Sequence, residues 1–359
     1  MGSFQVKIVG DFCNLRCSYC RNRDFNQEVK TKMSLETLEK LFVFLNSLPQ
    51  KRVRVNWHGG EPLLIGKEFF KRIIEIEKQY PNKQWVNAVQ TNATLVDHGW
   101  AKFFSTNQFH IGVSVDGNEK NHNHNRVNTA GRGTYREAIR GVNVLRKHNI
   151  YPGTICTITK EVAQNAREIL LGLVDAGFKG IAFNAFYNTA SENTEDKYGL
   201  SDKDWLMFLI EIFETWLILN NPEIRIREID SILAWTRMKS SNSCVYKGNC
   251  HQWFAVDDTG NFYPCERFGK EVRFGDLTSL DTFQKLITNS TFLKWKSVLD
   301  VLPEKCRTCH LKPLCNNGCG RHRHGDAGES PLYTYCESRK GFYNYVQEKL
   351  KQKGGGEHE

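Results

Sequence analysis

The first half of the chain alternates short apolar, β-rich runs with stretches in which apolar residues recur at helical spacing. The apolar runs predict strands at 4–9, 53–57, 85–90, 110–115, 153–159 and 180–186. The amphipathic stretches between them predict helices at 34–48, 67–80, 97–106, 134–147 and 165–176. Strands that alternate with helices indicate a parallel sheet with right-handed crossovers. The pattern does not decide whether that sheet is flat or curled.

The pattern changes after residue 200. Two helices rich in large apolar residues are predicted at 201–220 and near 229–239, and the region beyond them is rich in cysteine. We therefore divide the chain into a first domain (1–200), connecting helices (201–243), a cysteine-rich domain (244–346) and a polar tail (347–359).

Composition narrows the class of protein. With 359 residues, 40% of them apolar, the chain can form one large globular domain and a smaller one. It contains no run of about 18 apolar residues and no secretory signal, so we expect a cytoplasmic protein without a membrane partner. The net charge of +9 comes from scattered basic residues, which does not favour a nucleic acid partner.

Three cysteines follow the first predicted strand within eight residues. Cys13, Cys17 and Cys20 lie on what we predict to be a loop. Three thiolates can hold three irons of a 4Fe-4S cluster and leave the fourth iron open, which implies that a second molecule binds there. A zinc loop and a chance pattern are the alternatives, although zinc sites are usually built from paired Cys-x-x-Cys knuckles.

This spacing, with Tyr19 directly before the last cysteine, resembles the signature of the radical S-adenosylmethionine (SAM) enzymes. The resemblance implies an α/β fold, a partial (β/α)6 TIM-like barrel with its site at the carboxyl ends of the strands. It also implies that SAM binds the open iron and yields a 5'-deoxyadenosyl radical, which removes a hydrogen atom from an unactivated carbon. An external donor such as flavodoxin or ferredoxin would supply the electron.

The same resemblance assigns residues that contact SAM. Gly59-Gly60-Glu61-Pro62 follows the second strand and resembles the motif that binds the SAM amino group, although a glycine pair alone often marks only a turn. The remaining assigned contacts are Tyr19 and Tyr187, together with Ser114 and Arg126, which would bind the ribose and carboxylate of SAM. For Ser114 and Arg126 the alternatives are a hydroxyl that bonds to backbone and a surface arginine.

Eight further cysteines fall in the second half of the chain, and eight thiolates suffice to ligate two 4Fe-4S clusters completely. A pair of zinc ribbons is the alternative. Their spacing resembles the SPASM domain that follows the barrel in peptide-modifying radical SAM enzymes. That resemblance assigns one auxiliary cluster to Cys244, Cys250, Cys265 and Cys319. It assigns the other to Cys306, Cys309, Cys315 and Cys336. The twelfth cysteine, Cys156, is predicted to be a buried core residue.

The resemblance extends from about Phe4 to Val346 and is closest to the anaerobic sulfatase-maturating enzymes. Where those enzymes carry an aspartate that acts as a base after the third SPASM cysteine, this chain has Glu266, our predicted catalytic base. The alternative is a surface carboxylate paired with Arg267 or a nearby lysine. Two further departures are His58, in place of a glutamine, and Asn22, in place of an aromatic-rich run.

These departures lead us to expect a different substrate from a sulfatase. Our first hypothesis is that the enzyme forms a cross-link, such as a cyclophane or thioether, in a ribosomally made peptide. Formylglycine formation on a sulfatase is the runner-up. An iron-sulfur electron carrier conflicts with the open-iron motif, and an RNA-modifying enzyme would need a recognition module that we do not find.

Overall fold

The structure is a computed structural model that describes residues 3–20, 31–186, 198–268, 270–323 and 332–354. Tyr187 and Asn22, both named above, lie outside these ranges.

The chain forms two compact units. One comprises Met1–Val115, His122–Pro152 and His251–Val298, and the other comprises Asp116–Asn121, Gly153–Cys250 and Leu299–Glu359. The domain boundaries predicted above divide the chain differently and stay a prediction.

The strands of the described chain are β1 (Ser3–Lys7), β2 (Arg52–His58), β3 (Gln84–Thr91), β4 (His110–Ser114), β5 (Gly153–Ile158), β6 (Gly180–Ala185), β7 (Arg225–Ile226), β8 (Trp253–Val256), β9 (Asn261–Tyr263) and β10 (Gly275–Asp276). In the first unit, hydrogen-bonded neighbours run in the order β10-β9-β8-β1-β2-β3-β4. The neighbours from β8 to β4 are parallel, and β8, β9 and β10 pair antiparallel. In the second unit, β6 pairs parallel with both β5 and β7.

The α-helices are α1 (Leu35–Asn46), α2 (Lys67–Glu77), α3 (His98–Thr106), α4 (Glu119–Asn125), α5 (Tyr135–Lys147), α6 (Ala166–Asp175), α7 (Asp202–Leu219), α8 (Arg227–Thr236), α9 (Cys244–Lys247), α10 (Phe283–Ile287), α11 (Ser290–Asp300), α12 (Glu304–Arg307), α13 (Lys312–Cys315) and α14 (Cys336–Gly354). None of the helices in the described ranges is long and apolar enough to cross a membrane.

All six predicted strands and all seven predicted helices are confirmed. Several predicted helices began one residue early because their ranges included the capping residue. Ser34, Asp97 and Ser201 each accept a hydrogen bond from a backbone N–H of the first turn, and the helix begins at the following residue.

The first unit positions the residues of interest at one edge of its sheet. Strands β1 to β4 are parallel, so their carboxyl ends meet at the same edge. The segments that leave this edge carry Cys13, Gly60, Asn92 and Ser114. Below it, Phe70 packs edge to face against three aromatic rings at centroid distances of 5.3 to 6.1 Å, those of Trp100, Phe104 and Phe109.

A buried carboxyl group, Glu77, lies at the end of α2. Asn87 donates a hydrogen bond of 2.8 Å to Glu77 Oε1 and accepts one of 2.7 Å from Trp57 Nε1. Burial raises the pKa of Glu77 from 4.5 to about 7, against the opposing effect of the Asn87 hydrogen bond. The folded state therefore favours the protonated acid.

Glu77→Gln should stabilise the protein at alkaline pH. Because the folded pKa is raised, the contribution of Glu77 to stability is complete below pH 4.5 and is lost as pH rises through about 7. The difference between the two pKa values limits the lost free energy of unfolding to roughly 3 kcal/mol. Glutamine keeps the acceptor oxygen but does not ionise, so the variant avoids this loss. The melting temperature of Glu77→Gln should exceed that of wild type by more at pH 8 than at pH 5. Glu68→Gln, an exposed change on the same helix, is the control, and an equal pH dependence in both variants would contradict the assignment.

Candidate metal and cofactor site

The loop that carries the three N-terminal cysteines is fixed by the segment 125–128. Arg16 N–H donates to the carbonyl of Val127 at 2.7 Å, and Ser18 N–H donates to the carbonyl of Asn125 at 2.8 Å. Leu15 and Asn128 form an antiparallel bridge beside them. The cysteine loop thus has backbone partners at residues 15, 16 and 18, on both sides of Cys17.

The glycine motif fixes the other end of the same loop. Gly60 N–H donates to the carbonyl of Gly10, and Glu61 N–H donates to the carbonyl of Phe12, each at 2.9 Å. A Cβ atom at Gly60 would lie 2.1 Å from the Phe12 oxygen, which no side chain can accommodate. The motif is therefore required to hold the backbone that leads into Cys13, whatever it does for a ligand.

The Glu61 carboxylate points into the protein. It is fully buried and accepts hydrogen bonds from Thr91 Oγ1 (2.7 Å), Asn92 N (2.7 Å) and Leu63 N (3.1 Å). Burial raises its pKa to about 7, while these three donors lower it. Asn92 in turn donates to Asn14 Oδ1 at 2.9 Å, beside Cys13. The sequence did not predict this scaffold role, and a side-chain contact of Glu61 with SAM stays a prediction.

The three thiols suit the positively charged iron core of a 4Fe-4S cluster. Burial, followed by the charge of Glu61, raises the pKa of Cys13 to about 12, and the charges of Cys17 and Cys20 contribute to this rise. An isolated thiolate at Cys13 would therefore be costly. Bound iron would supply the missing positive charge, so the residues fit the expected cluster. Within the described ranges, no group of three His, Cys, Asp or Glu residues has the geometry of a single-ion site.

Two predicted SAM contacts lie near this loop or at the sheet edge. Arg126 is buried, so the surface-arginine alternative is wrong, and its guanidinium lies 5.5 Å from the centre of the Tyr19 ring. The Ser114 hydroxyl accepts a hydrogen bond of 3.0 Å from Gln90 Nε2 at the end of β3. Binding of SAM by these residues is untested.

Glu266, the predicted base, lies beside His58. Its side chain is 26% exposed, and Oε2 is 3.1 Å from Nδ1 of His58, the last residue of β2. His58 Nδ1 is buried and makes no well-aligned hydrogen bond within the described part of the chain, so its contact with Glu266 is a close approach rather than a formed hydrogen bond. The Glu266 N–H also lies 3.4 Å from Gln5 Oε1. Sequence reasoning noted His58 and Glu266 separately and missed that they form a pair.

Four of the C-terminal cysteines line one cavity in the second unit. They are Cys306, Cys309, Cys315 and Cys336, the set assigned to one auxiliary cluster. The cavity, together with the open solvent at its mouth, spans about 390 Å³, and Lys305, Lys312, Arg339 and Lys340 also line it. Burial raises the pKa of Cys336 to about 11, and the charge of Lys340 acts against this. Thiols surrounded by cations fit an anionic, thiolate-ligated cluster.

The other predicted set falls in both units. Cys244, Cys250 and Cys319 belong to the second unit and Cys265 to the first. Gly320 N–H donates to Cys250 Sγ at 3.2 Å, which brings the Cys319 segment to Cys250. Cys156 is fully buried in β5, as predicted for a core residue.

Known proteins resemble this chain along its whole length. The family model of the radical SAM superfamily matches residues 7–170. A cysteine-type anaerobic sulfatase-maturating enzyme of Clostridium perfringens (strain 13) is 31% identical, over 97% of each chain. The chain belongs to the anaerobic sulfatase-maturating family of radical SAM enzymes. A serine-type enzyme of Bacteroides thetaiotaomicron is 27% identical, over 95% of this chain and 88% of that protein.

A solved structure supports the same assignment. The enzyme anSMEcpe, with bound SAM and the Cp18Cys peptide, matches 98% of each chain with 28% identity and a TM-score of 0.89. The predicted resemblance and the α/β radical SAM fold are thereby confirmed. This family member is a radical SAM enzyme that acts on a peptide.

Proposed function

We propose that this enzyme is an anaerobic sulfatase maturase, which oxidises a Cys or Ser side chain of a protein substrate to formylglycine. The observation that carries the proposal is the 31% identity to a cysteine-type maturase over 97% of both chains. From the sequence alone we ranked a peptide cross-link first and formylglycine formation second. The relatives favour formylglycine formation instead.

Two of the three departures that had favoured another substrate occur at one place. His58 and Glu266 replace two residues of the family pattern, and their side chains lie 3.1 Å apart. A paired change at one contact is compatible with the same chemistry, because the longer Glu side chain can be accommodated by a different neighbour. These two departures are therefore weaker evidence against formylglycine formation than two independent changes would be.

Different groups would carry out the successive steps of this reaction. When bound, the cluster and SAM supply the radical that removes one hydrogen atom from the substrate carbon. Glu266 would then accept a proton from the substrate, and the C-terminal cysteine sets would hold the auxiliary clusters that take up the second electron. Together these steps remove two hydrogens, which converts the alcohol of Ser to an aldehyde. For Cys they give a thioaldehyde, which water hydrolyses to the aldehyde and hydrogen sulfide.

The cofactor set of the proposal is SAM and three 4Fe-4S clusters. Cys13, Cys17 and Cys20 would hold the cluster that binds SAM. The two cysteine sets of the second half would hold the auxiliary clusters, and flavodoxin or ferredoxin would be the electron donor. The cationic cavity around Cys306, Cys309, Cys315 and Cys336 supports one auxiliary cluster.

Product chemistry tests this proposal directly. The anaerobic, reduced enzyme would be incubated with a sulfatase-derived peptide that carries Cys, Ser or, as control, Ala at the target position. We expect an aldehyde that is captured by a hydrazide probe and located by mass spectrometry. Loss of two hydrogens without a hydrazide adduct, together with linked fragment ions, would instead establish a cross-linking enzyme.

Arg126→Ala should weaken SAM binding. A buried guanidinium that pairs with the SAM carboxylate contributes a charge-assisted hydrogen bond, so its loss should raise the Kd by roughly tenfold to a hundredfold. Anaerobic equilibrium dialysis with the reconstituted enzyme measures this. Arg132→Ala changes an exposed arginine on the same segment and should bind SAM as wild type does. Equal affinity in both variants would exclude the assigned role of Arg126.

A further inference from the structure

Arg323 is a buried cation that ties together the segments carrying several C-terminal cysteines. It is 5% exposed. Its guanidinium donates to carbonyl oxygens of Leu299, Asn316, Asn317 and Gly318 at 2.8 to 2.9 Å, and more weakly to that of Gly248 at 3.4 Å. Four of these five carbonyls lie within two residues of Cys250, Cys315 or Cys319.

Arg339 is a second buried cation in the same unit. It is 6% exposed, and Nη1 donates to Cys315 Sγ at 3.4 Å and to the carbonyl of Val245 at 3.0 Å. Its guanidinium lies over the rings of Tyr246 and Tyr333, at 4.4 and 4.2 Å from their centres. The aromatic rings and the cavity wall fix this cation directly against a predicted cluster ligand.

Neither cation has a carboxylate partner at ion-pair distance within the part of the chain that the structure describes. Their hydrogen-bond acceptors are carbonyl oxygens, a phenol oxygen and a sulfur. A buried charge without a counter-charge is costly, and arginine cannot lose its proton. Burial lowers the pKa of Arg323, and the charges that oppose this lowering are those of Cys250, Cys319, Cys315 and Cys306.

We propose that Arg323 and Arg339 are the counter-charges of the auxiliary clusters and raise their reduction potentials. Arg339 would act on the cluster held by Cys315, and Arg323 on that cluster and also on the one held by Cys250 and Cys319. The inference rests on the auxiliary-cluster assignment in the proposed function. It makes the two arginines positioning residues for electron transfer, since neither needs to touch substrate.

The physical reason is the charge that reduction adds. A one-electron reduction makes a thiolate-ligated cluster more negative, and a fixed nearby cation stabilises the reduced form more than the oxidised form. A hydrogen bond to a ligand sulfur acts in the same direction. Clusters tuned in this way accept an electron more readily, which is what the oxidation step of the proposed function requires.

The experiment is a redox titration of the auxiliary clusters, followed by electron paramagnetic resonance. Using the Cys13→Ala, Cys17→Ala, Cys20→Ala background leaves only these clusters to observe, without SAM or peptide. We expect Arg339→Gln to lower one potential, with about a tenfold fall in the ratio of reduced to oxidised cluster at fixed potential, which is about 59 mV for one electron. Arg323→Gln should lower both potentials.

Lysine variants and a surface control separate charge from packing. Arg339→Lys and Arg323→Lys keep the charge and should titrate close to wild type. Lys179→Gln removes an exposed cation of the same unit that is paired with Glu223 and does not line the cavity, and should cause no shift. Unshifted potentials in Gln variants that retain the auxiliary iron would overturn the inference.

Loss of iron is also informative. If the Gln variants lose auxiliary iron and the Lys variants keep it, the charge role is supported, whereas equal loss in both would indicate packing alone and overturn it. An enzyme with native cysteines that holds only about four irons would refute the auxiliary clusters and this inference together. About twelve irons with unchanged potentials would refute the inference alone.

Discussion

Replacing Cys13, Cys17 and Cys20 together by alanine should abolish 5'-deoxyadenosine formation and lower the iron content from about twelve to about eight per chain. One short loop carries all three thiols, and the charges of Cys17 and Cys20 contribute to the raised pKa of Cys13, so iron would bind them as one group. Loss of the group removes the open iron at which SAM would bind, so SAM cleavage should fall to background. Iron analysis and chromatography of the reconstituted protein measure both results.

Cys156→Ala is the matched control for this experiment, because Cys156 is fully buried in β5 and belongs to none of the three predicted ligand sets. It should keep about twelve irons and cleave SAM. A triple variant that retained only about four irons would show that the C-terminal cysteines hold one cluster rather than two. Undiminished SAM cleavage in the triple variant would refute the assignment of the N-terminal loop.

Glu266→Gln should separate the first hydrogen abstraction from the step that follows it. Glutamine keeps the size of the side chain next to His58 but cannot accept a proton as carboxylate does. Peptide-dependent 5'-deoxyadenosine should still form, while the modified peptide should fall by about a hundredfold or more, as is typical of losing a general base. The measured quantity is the ratio of modified peptide to 5'-deoxyadenosine in one anaerobic reaction.

Two further variants sharpen that result. Glu266→Asp keeps a carboxylate but moves it by about one bond length, so its ratio should lie between those of wild type and Glu266→Gln. Glu271→Gln changes an exposed carboxylate of the same segment and should leave the ratio unchanged. If Glu266→Gln also leaves it unchanged, Glu266 is a surface carboxylate and another group is the base.

Local pattern was sufficient to predict the secondary structure and the kind of chemistry. The period of apolar residues depends on which face of each strand or helix is buried, and this is encoded within a few residues, as the alternating burial of β1 illustrates. The spacing of Cys13, Cys17 and Cys20 is equally local, because one short loop carries all three. Such features can be read from a single sequence since the residues that act together are neighbours along the chain.

Tertiary packing decided the partners of those residues. His58 meets Glu266, the segment 125–128 fixes the cysteine loop, and Glu61 turns inward to Thr91 and Asn92, all through contacts between distant parts of the chain. The periodicity of apolar residues does not predict such pairings, because they depend on how strands and loops are arranged in space. The burial of Arg323 and Arg339 also depends on tertiary packing. Most arginines are exposed, and the local sequence does not distinguish these two from surface arginines. The sequence alone determined the elements and the cysteine loop, whereas the packing of distant segments determined which charges lie against which thiols.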